Sequence, residues 1–237
     1  IGILNGIDQN NWNPETDSSL KHKIHSANPG KGKNSNKISL LKEMGLPVEE
    51  KIPLFGAVSR LYHQKGLDIL SKSLPELLAK NNFQVVLLGN GDPAQENSFR
   101  KLASKFPKKI SVHIGFDDGL ARRVFAGSDF FIMPSRFEPC GLAQQYAMKY
   151  GSIPVARKTG GLADTIIDVN ITKEQANGLL FEQISSNEMK EVIHRAIQLF
   201  QMPELFDKIR QNGMNSNFSW DIAARKYCEV YEWALNS

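Results

Sequence analysis

Two charged segments of the sequence carry the side chains best suited to binding an anionic ligand. Ser59–Leu67 reads S-R-L-Y-H-Q-K-G-L, and Pro134–Leu142 reads P-S-R-F-E-P-C-G-L. In the first segment, Arg60 and Lys65 are fixed cations beside a predicted helix N-terminus, where free backbone N–H groups would complete a cradle for a diphosphate. Without other motifs, a solvated basic loop is the commoner explanation of such residues.

The second segment adds a carboxylate before a predicted helix. Glu138 lies just ahead of Gly141–Tyr150, which is predicted to be helical. Its carboxylate could accept hydrogen bonds from the hydroxyls of a sugar, and the N–H groups of Cys140 to Ala143 could meet phosphate or sugar oxygens. Alternatively, Glu138 caps the helix. Cys140 is interpreted as a packing residue rather than a nucleophile, because no histidine lies near it in sequence.

Three glycine-rich segments are further candidates. The pair Gly160–Gly161 would permit close approach of the backbone to a ligand, although a plain turn explains it equally well. Gly89–Ala94 fits the pattern G-x-G-x-x-A, but it follows the second predicted strand and lacks a following acidic residue, so a tight turn is favoured over an NAD site. Gly30–Ser35 is not a Walker A loop, because Asn34 occupies the Ser/Thr position.

The histidines do not indicate a metal site. Of the five histidines in the chain, His22 and His25 are close together, but they lie in a polar stretch without further ligands. Neither a metal nor a cofactor is therefore expected.

The elements that must position these loops alternate along the chain. Strands are predicted at 52–58, 83–88, 110–114, 129–133, 153–156 and 178–181, and helices at 67–80, 93–106, 118–126, 141–150, 187–201, 203–215 and 219–235. Short, continuously apolar strands are typical of a parallel sheet buried on both faces. The predicted fold class is α/β with a doubly wound, Rossmann-like parallel sheet. Its ligand site should lie at the carboxyl ends of the strands, where the charged loops are.

The two ends of the chain look different from this alternating part. Residues 11–37 are rich in Asn, Lys, Ser, Gly and Pro, and they are predicted to form a loop of little value to the core, followed by a helix at about 37–44. Because the chain begins with Ile1 rather than Met, a fragment or processed product is expected. Helical spacing predicts that most aromatic residues of the last helix are core or interface residues, namely Trp220, Tyr227, Tyr231 and Trp233.

Composition excludes several classes of protein. The chain has 237 residues, of which 41% are hydrophobic and 23% charged, as in ordinary globular domains. No run of about 18 apolar residues predicts a membrane span. The net charge of +4 is mild and no basic helix face recurs, so nucleic acid is not an expected partner. The two cysteines favour a reducing compartment.

Together, these segments resemble bacterial glycogen synthases and plant starch synthases. The matching segments are I-L-N-G-I-D at 3–8, S-R-L-Y-H-Q-K-G-L-D at 59–68, V-V-L-L-G-N-G-D-P at 85–93, G-S-D-F-F-I-M-P-S-R-F-E-P-C-G-L at 127–142 and Y-G-S-I-P-V-A-R-K-T-G-G-L-A-D-T at 150–165. They cover nearly the whole chain in order. The resemblance implies the C-terminal domain of a two-domain GT-B glycosyltransferase. The whole enzyme would transfer glucose from ADP-glucose to the non-reducing end of an α-1,4-glucan with retention.

The same resemblance implies roles for individual residues. Arg60 and Lys65 would hold the donor phosphates and stabilise the departing diphosphate, and Glu138 would contact the glucose. Phe116 would stack on the adenine, although relatives often carry Tyr there, and Ala143 stands where Thr is common. The residues implied to bind the donor are Asn5, Phe116, Cys140, Gly141, Leu142, Ala143, Gly160 and Gly161. Tyr146 stands where many other retaining glycosyltransferases carry Glu, which favours the synthase branch.

The implied domain organisation has three parts. Residues 1–50 would form a domain-junction segment with a polar loop, 51–217 the Rossmann-like nucleotide-sugar-binding domain, and 218–237 a helix that docks on an N-terminal domain missing here. The partners would be ADP-glucose, an α-1,4-glucan and that domain, in the cytoplasm or, in a plant, the plastid stroma. The fragment alone is expected to bind the donor without turnover. The alternatives are a related enzyme using a UDP- or GDP-sugar, and a non-catalytic nucleotide- or glucan-binding module.

Overall fold

The computed structural model describes residues 2–236, and within them one parallel sheet of six strands carries the fold. The strands are Leu54–Val58 (β1), Gln84–Gly89 (β2), Ile110–Ile114 (β3), Phe130–Met133 (β4), Ile153–Arg157 (β5) and Leu179–Phe181 (β6). Their order is β3-β2-β1-β4-β5-β6, so the direction of winding reverses between β1 and β4. The predicted doubly wound, Rossmann-like α/β fold is therefore confirmed.

Helices cover both faces of the sheet. They are Pro29–Glu43 (α1), Leu67–Lys80 (α2), Pro93–Lys105 (α3), Asp118–Gly127 (α4), Ala143–Lys149 (α5), Gly160–Thr165 (α6), Ser186–Phe200 (α7), Pro203–Asn215 (α8) and Trp220–Leu235 (α9). The pattern predicted from residue 52 onward agrees with these bounds to within a few residues, apart from the short α6. None of the helices in the described part of the chain combines the length and apolarity needed to cross a membrane.

Side chains of the strands alternate between two apolar cores, one on each face of the sheet. On one face, the rings of Phe55 and Phe130 stack with their centroids 5.0 Å apart. On the other face, Phe131 packs against Phe125 of α4 at 4.8 Å. This burial on both faces explains why the strands read as short apolar runs.

The prediction that residues 11–37 add little to the core is wrong, as is the prediction of a helix starting near 37. α1 begins at Pro29, and Leu20 and Ile24 ahead of it are buried. Trp12 stacks on Tyr146 with ring centroids 3.7 Å apart. A few apolar side chains in this polar stretch thus pack into the core. They are not apparent from the average composition of residues 11–37. The boundaries of the three predicted domains remain predictions.

Two lysines of α1 are also buried, which their type does not suggest. The Nζ atom of Lys33 donates to the carbonyl oxygens of Phe125 and Ser128 at 3.1 and 2.7 Å, and Lys37 pairs with Asp129 at 2.7 Å. Burial lowers the pKa of Lys33 well below its ordinary value of 10.5. Both side chains fasten α1 to the turn between α4 and β4.

The last helix, α9, is largely exposed. Trp220 and Tyr231 are 48% and 63% exposed, and Ala223 is the buried residue among the α9 side chains that the structure describes. The start of α9 is held by the N-terminal segment, because the N–H group of Ile7 donates to the carbonyl oxygen of Phe218 at 2.8 Å. The aromatic residues of α9 therefore do not join the core of this chain, and their role in an interface remains a prediction.

Candidate functional site

The loops that follow β1 and β4 lie side by side, because these two strands are neighbours in the sheet. The contact between the loops is made by backbone. Gly66 adopts a φ of +68°, and the space that a side chain would need there is filled by Pro134. The N–H group of Arg136 donates to the carbonyl oxygen of Gln64 at 2.8 Å. The two charged segments singled out in the sequence are thus joined into one structure.

An ion pair fastens the same two loops. Arg136 donates to both carboxylate oxygens of Asp68, at 2.6 and 2.9 Å, and to the carbonyl oxygen of His63 at 2.7 Å. Arg157, at the end of β5, donates to the carbonyl oxygen of Arg136 at 2.8 Å. Hydrogen bonding from the Arg136 guanidinium holds the pKa of Asp68 below its ordinary value of 3.8. The Asp68 carboxyl group is therefore ionised at neutral pH.

Lys65 and Glu138 meet between the loops. The Nζ atom of Lys65 lies 2.6 Å from Oε2 of Glu138, and the two side chains are 19% and 10% exposed. Ser135 donates to the same carboxylate oxygen at 3.2 Å. The alternative role of Glu138 as a helix cap is wrong, because α5 begins only at Ala143 and Glu138 accepts from Lys65 and Ser135 instead.

A cavity of about 210 Å³ opens where these side chains converge, at the carboxyl ends of β1 and β4. Its lining includes Arg60, Lys65, Ser135, Glu138 and Ala143. Two cations and one carboxylate in a partly enclosed space can bind phosphate oxygens and a neutral hydroxyl at the same time. The three residues predicted to be catalytic, Arg60, Lys65 and Glu138, therefore share one cavity.

A second cavity, of about 170 Å³, lies on the other side of the loop after β1. Ser59 and Arg60 line both cavities, and the second is also lined by Gly89, Phe116 and Asp117. The Phe116 side chain is 88% exposed, which is unusual for a phenylalanine. An exposed ring beside a cavity offers an apolar face on which a flat base can stack. Arg60 lies between the space for such a base and the cavity of Lys65 and Glu138.

The residues predicted to bind the donor through their amides lie around the first cavity to different extents. Ala143 lines it, whereas Cys140, Gly141 and Leu142 precede Ala143 in the adjoining loop. Asn5 is brought to this loop, because its N–H group lies 3.3 Å from the Sγ atom of Cys140. Contact of these groups with a ligand remains a prediction.

The glycine pair at 160 and 161 approaches the loop that carries Glu138. The N–H group of Gly161 donates to the carbonyl oxygens of Glu138 and Pro139, at 3.0 and 3.2 Å. A Cβ atom on Gly160 would lie 2.3 Å from the carbonyl oxygen of Glu138, and one on Gly161 would lie 2.0 Å from that of Cys140. The close approach that these glycines allow is therefore to protein backbone, and it holds Glu138 in place.

Sequence reasoning missed Arg136 and Asp68 at this site. Arg136 stands in the second charged segment, two residues before Glu138, and Asp68 directly follows the first, three residues after Lys65. Their opposite charges, near the ends of two strands, were the available signal, but the sequence alone does not pair them. Within residues 2–236, no group of three or more His, Cys, Asp or Glu side chains is placed to hold a metal ion.

Comparison with known proteins places this geometry in a family. Residues 42–215 match the family described as "Glycosyl transferases group 1". The chain is 43% identical to a glycogen synthase of Kosmotoga olearia, covering 100% of this chain and 49% of that protein. It is 46% identical to a glycogen synthase of Dechloromonas aromatica, covering 99% of this chain and 48% of that protein. The chain therefore spans about half the length of the curated relatives it matches.

A solved structure is similar over the same extent. The catalytic domain of Starch Synthase IV from Arabidopsis thaliana, bound to ADP and acarbose, superimposes with a TM-score of 0.92 and 36% identity, over 100% of this chain and 49% of that chain. The resemblance to glycogen and starch synthases expected from the sequence motifs is thus confirmed, and so is a Rossmann-like fold of the GT-B type.

Proposed function

The chain belongs to the glycosyl transferases of group 1, and on that premise we propose that it supplies the donor-binding half of an ADP-glucose-dependent glycogen or starch synthase. The whole enzyme would transfer glucose from ADP-glucose to the non-reducing end of an α-1,4-glucan, with retention of configuration. Identities of 43% and 46% to bacterial glycogen synthases support this proposal. So does the structural similarity to a starch synthase that was solved with ADP and acarbose.

The observation that carries the proposal is the convergence of Arg60, Lys65 and Glu138 on one cavity. In the proposed reaction, the bond between glucose and the diphosphate breaks, and negative charge accumulates on the diphosphate. Fixed cations that are already oriented stabilise such a leaving group more than a proton donor would. Arg60 and Lys65 fill this role. Glu138 accepts hydrogen bonds from the glucose hydroxyls and keeps the ammonium group of Lys65 in place.

The second cavity would hold the base. Phe116 offers an exposed ring at its rim, and Arg60 lines both cavities. A nucleoside diphosphate lying across the loop after β1 would place its base beside Phe116 and its phosphates at Arg60 and Lys65. This arrangement agrees with the general location of ligands at the switch point of a doubly wound sheet.

The proposed enzyme needs a second domain and no cofactor. The chain spans about half of each relative, so the acceptor glucan would be bound largely by the other half. Arg60 and Lys65 supply positive charge where a metal ion otherwise would, and we therefore propose a metal-independent reaction. The enzyme would act in the cytoplasm, or in the plastid stroma if its source is a plant.

Calorimetric titration of the purified chain with ADP, UDP and GDP tests the proposed function. We expect ADP to bind at least about tenfold more tightly than UDP or GDP, a difference of about 1.4 kcal/mol. Tighter binding of UDP or GDP would instead indicate a related glycosyltransferase. Binding of maltooligosaccharides without any nucleotide would indicate a glucan-binding module.

A second measurement tests the dependence on another domain. We expect the chain of 237 residues to transfer no glucose from radiolabelled ADP-glucose to glycogen, because it spans about half the length of the glycogen synthases it matches. Measurable elongation of glycogen by the chain alone would overturn this expectation.

A further inference from the structure

The ion pair between Arg136 and Asp68 lies next to the proposed donor cavity without lining it. We propose that these two are positioning residues, whose pairing fixes the distance and direction between Lys65 and Glu138 and thereby the affinity for the donor diphosphate. The inference rests on the proposed function, since it concerns the same site. It assigns a task to two side chains that would otherwise be counted as surface charges.

The bonds of Arg136 support this role, because they reach both flanks of the Lys65 segment. On one side of Lys65, Arg136 bonds the carbonyl oxygens of His63 and Gln64, through its guanidinium and its N–H group. On the other side, it bonds both carboxylate oxygens of Asp68. Lys65 is thus held from before and after by a single residue of the opposite loop.

The Glu138 side of the cavity is held in the same way. Gln64 donates to the carbonyl oxygen of Phe137 at 3.2 Å, and Arg157 donates to that of Arg136 at 2.8 Å. Arg136 stands two residues before Glu138 in a segment without helix or strand. A segment of this kind has no ladder of hydrogen bonds of its own, so its conformation depends on such cross-links.

The chemistry of the pair suits positioning better than it suits general stabilisation. The planar guanidinium meets the carboxylate in a two-bond geometry, which fixes orientation as well as distance. The side chains of Arg136 and Asp68 are 20% and 21% exposed, so salt screens their attraction less than at an open surface. Arg136→Lys would keep the positive charge but lose the planar group that makes two bonds at once, so this variant separates the geometric contribution from the electrostatic one.

A matched ion pair elsewhere in the chain provides the control. Arg195 donates to both carboxylate oxygens of Asp168, at 2.7 and 3.0 Å, and to the carbonyl oxygen of Leu180 at 3.0 Å. This pair joins the same two kinds of group at similar burial, with one guanidinium nitrogen making both bonds, and neither residue lines the two cavities of the site. Loss of the Arg195 guanidinium should affect stability without affecting the donor site.

The test compares ADP affinity, measured by calorimetry, among the wild-type chain, Arg136→Lys, Asp68→Asn and Arg195→Lys. We expect the Kd for ADP to rise about tenfold in Arg136→Lys and in Asp68→Asn, and to stay within about twofold in Arg195→Lys. Thermal unfolding of each variant is measured alongside. The rise in the Kd for ADP can then be compared with any fall in the melting temperature. Asp68→Asn serves as the second variant if Arg136→Lys does not fold.

A double variant separates positioning from a general loss of structure. In a Lys65→Ala background, Arg136→Lys should change the Kd for ADP by less than about twofold, because the pair acts through Lys65. If the losses of ADP affinity caused by Lys65→Ala and by Arg136→Lys are fully additive in the double variant, the inference is overturned. Unchanged ADP affinity in both Arg136→Lys and Asp68→Asn would also overturn it. Absence of ADP binding to the wild-type chain would be a different result, since it overturns the proposed function and this inference with it.

Discussion

A Cβ atom placed on Gly66 would lie 1.8 Å from the carbonyl oxygen of Pro134. The backbone after β1 therefore touches the backbone after β4 with no space for a side chain between them. One residue before this contact stands Lys65, and four residues after it stands Glu138. The distance between the two charged groups of the site thus depends on a contact that only glycine permits.

Gly66→Ala is predicted to destabilise the chain more than Gly45→Ala does. Both glycines have a φ of +68°, but a Cβ atom on Gly45 would meet nothing within 4 Å. Gly45→Ala should therefore lower the free energy of unfolding by about 1 kcal/mol, for the left-handed backbone alone. Gly66→Ala should lower it by at least about 2 kcal/mol more, because backbone atoms must move. Urea unfolding measures both, and equal losses would contradict the close contact of the loops.

Lys65→Ala is predicted to raise the Kd for ADP at least about tenfold, because a charge-assisted hydrogen bond to phosphate is lost and the Glu138 carboxylate is left unpaired. Lys80→Ala is the control. Lys80 also pairs with a glutamate, at 2.8 Å, but its side chain is 71% exposed and it stands at the far end of α2. Calorimetry should show wild-type affinity for Lys80→Ala. An unchanged Kd in Lys65→Ala would exclude Lys65 from the phosphate site.

Phe116→Ala is predicted to weaken ADP binding roughly threefold to tenfold, as expected for loss of one aromatic stacking contact. Since the ring is 88% exposed, the free energy of unfolding should change by less than about 0.5 kcal/mol. Phe116→Tyr keeps the stacking face and should bind ADP at least as tightly as the wild-type chain. Ile171→Ala removes another exposed apolar side chain, 73% exposed, and should leave the affinity unchanged. Equal affinity of Phe116→Ala and the wild-type chain would place the base elsewhere.

The stability contributed by Asp68 should depend on pH. Arg136 lowers the pKa of Asp68 in the folded chain below the ordinary value of 3.8. Below pH 3.8 the unfolded chain therefore binds more protons at this position, and the contribution is lost as the pH falls through the folded value. The difference in unfolding free energy between wild type and Asp68→Asn should be constant above about pH 5 and shrink below 3.8. Urea midpoints from pH 3 to 7 check this, and a difference that is constant down to pH 3 would contradict it.

Much of the fold and the centre of the site follow from local sequence. β1 and β4 are continuous apolar runs, and Asp92 caps α3 through the N–H group of Ala94 at 2.7 Å, as its position before Pro93 predicts. Arg60 and Lys65 follow one strand and Glu138 follows another. Because parallel strands end at one edge of the sheet, placing these residues together required only the strand assignments.

The parts that escaped prediction depend on contacts between distant residues. The early start of α1 reflects burial of Lys33 and Lys37 against the turn before β4, and lysines rarely indicate a buried helix face. The glycines at 160 and 161 looked equally suited to a ligand or a turn, because a sequence does not show which backbone fills the space. The ion pair between Arg136 and Asp68 joins two segments that are distant in sequence, and the sequence does not show how they lie relative to each other.

The reversal of the sheet between β1 and β4 has a consequence for cooperativity. β1 and β4 are joined through the pairs Phe55 with Phe130 and Gly56 with Phe131, while Lys65 belongs to one half of the sheet and Glu138 to the other. Neither half assembles the cavity by itself. A bound nucleoside diphosphate would therefore favour only species in which both halves are docked, and it would slow amide hydrogen exchange in both halves together, including strands that do not touch it.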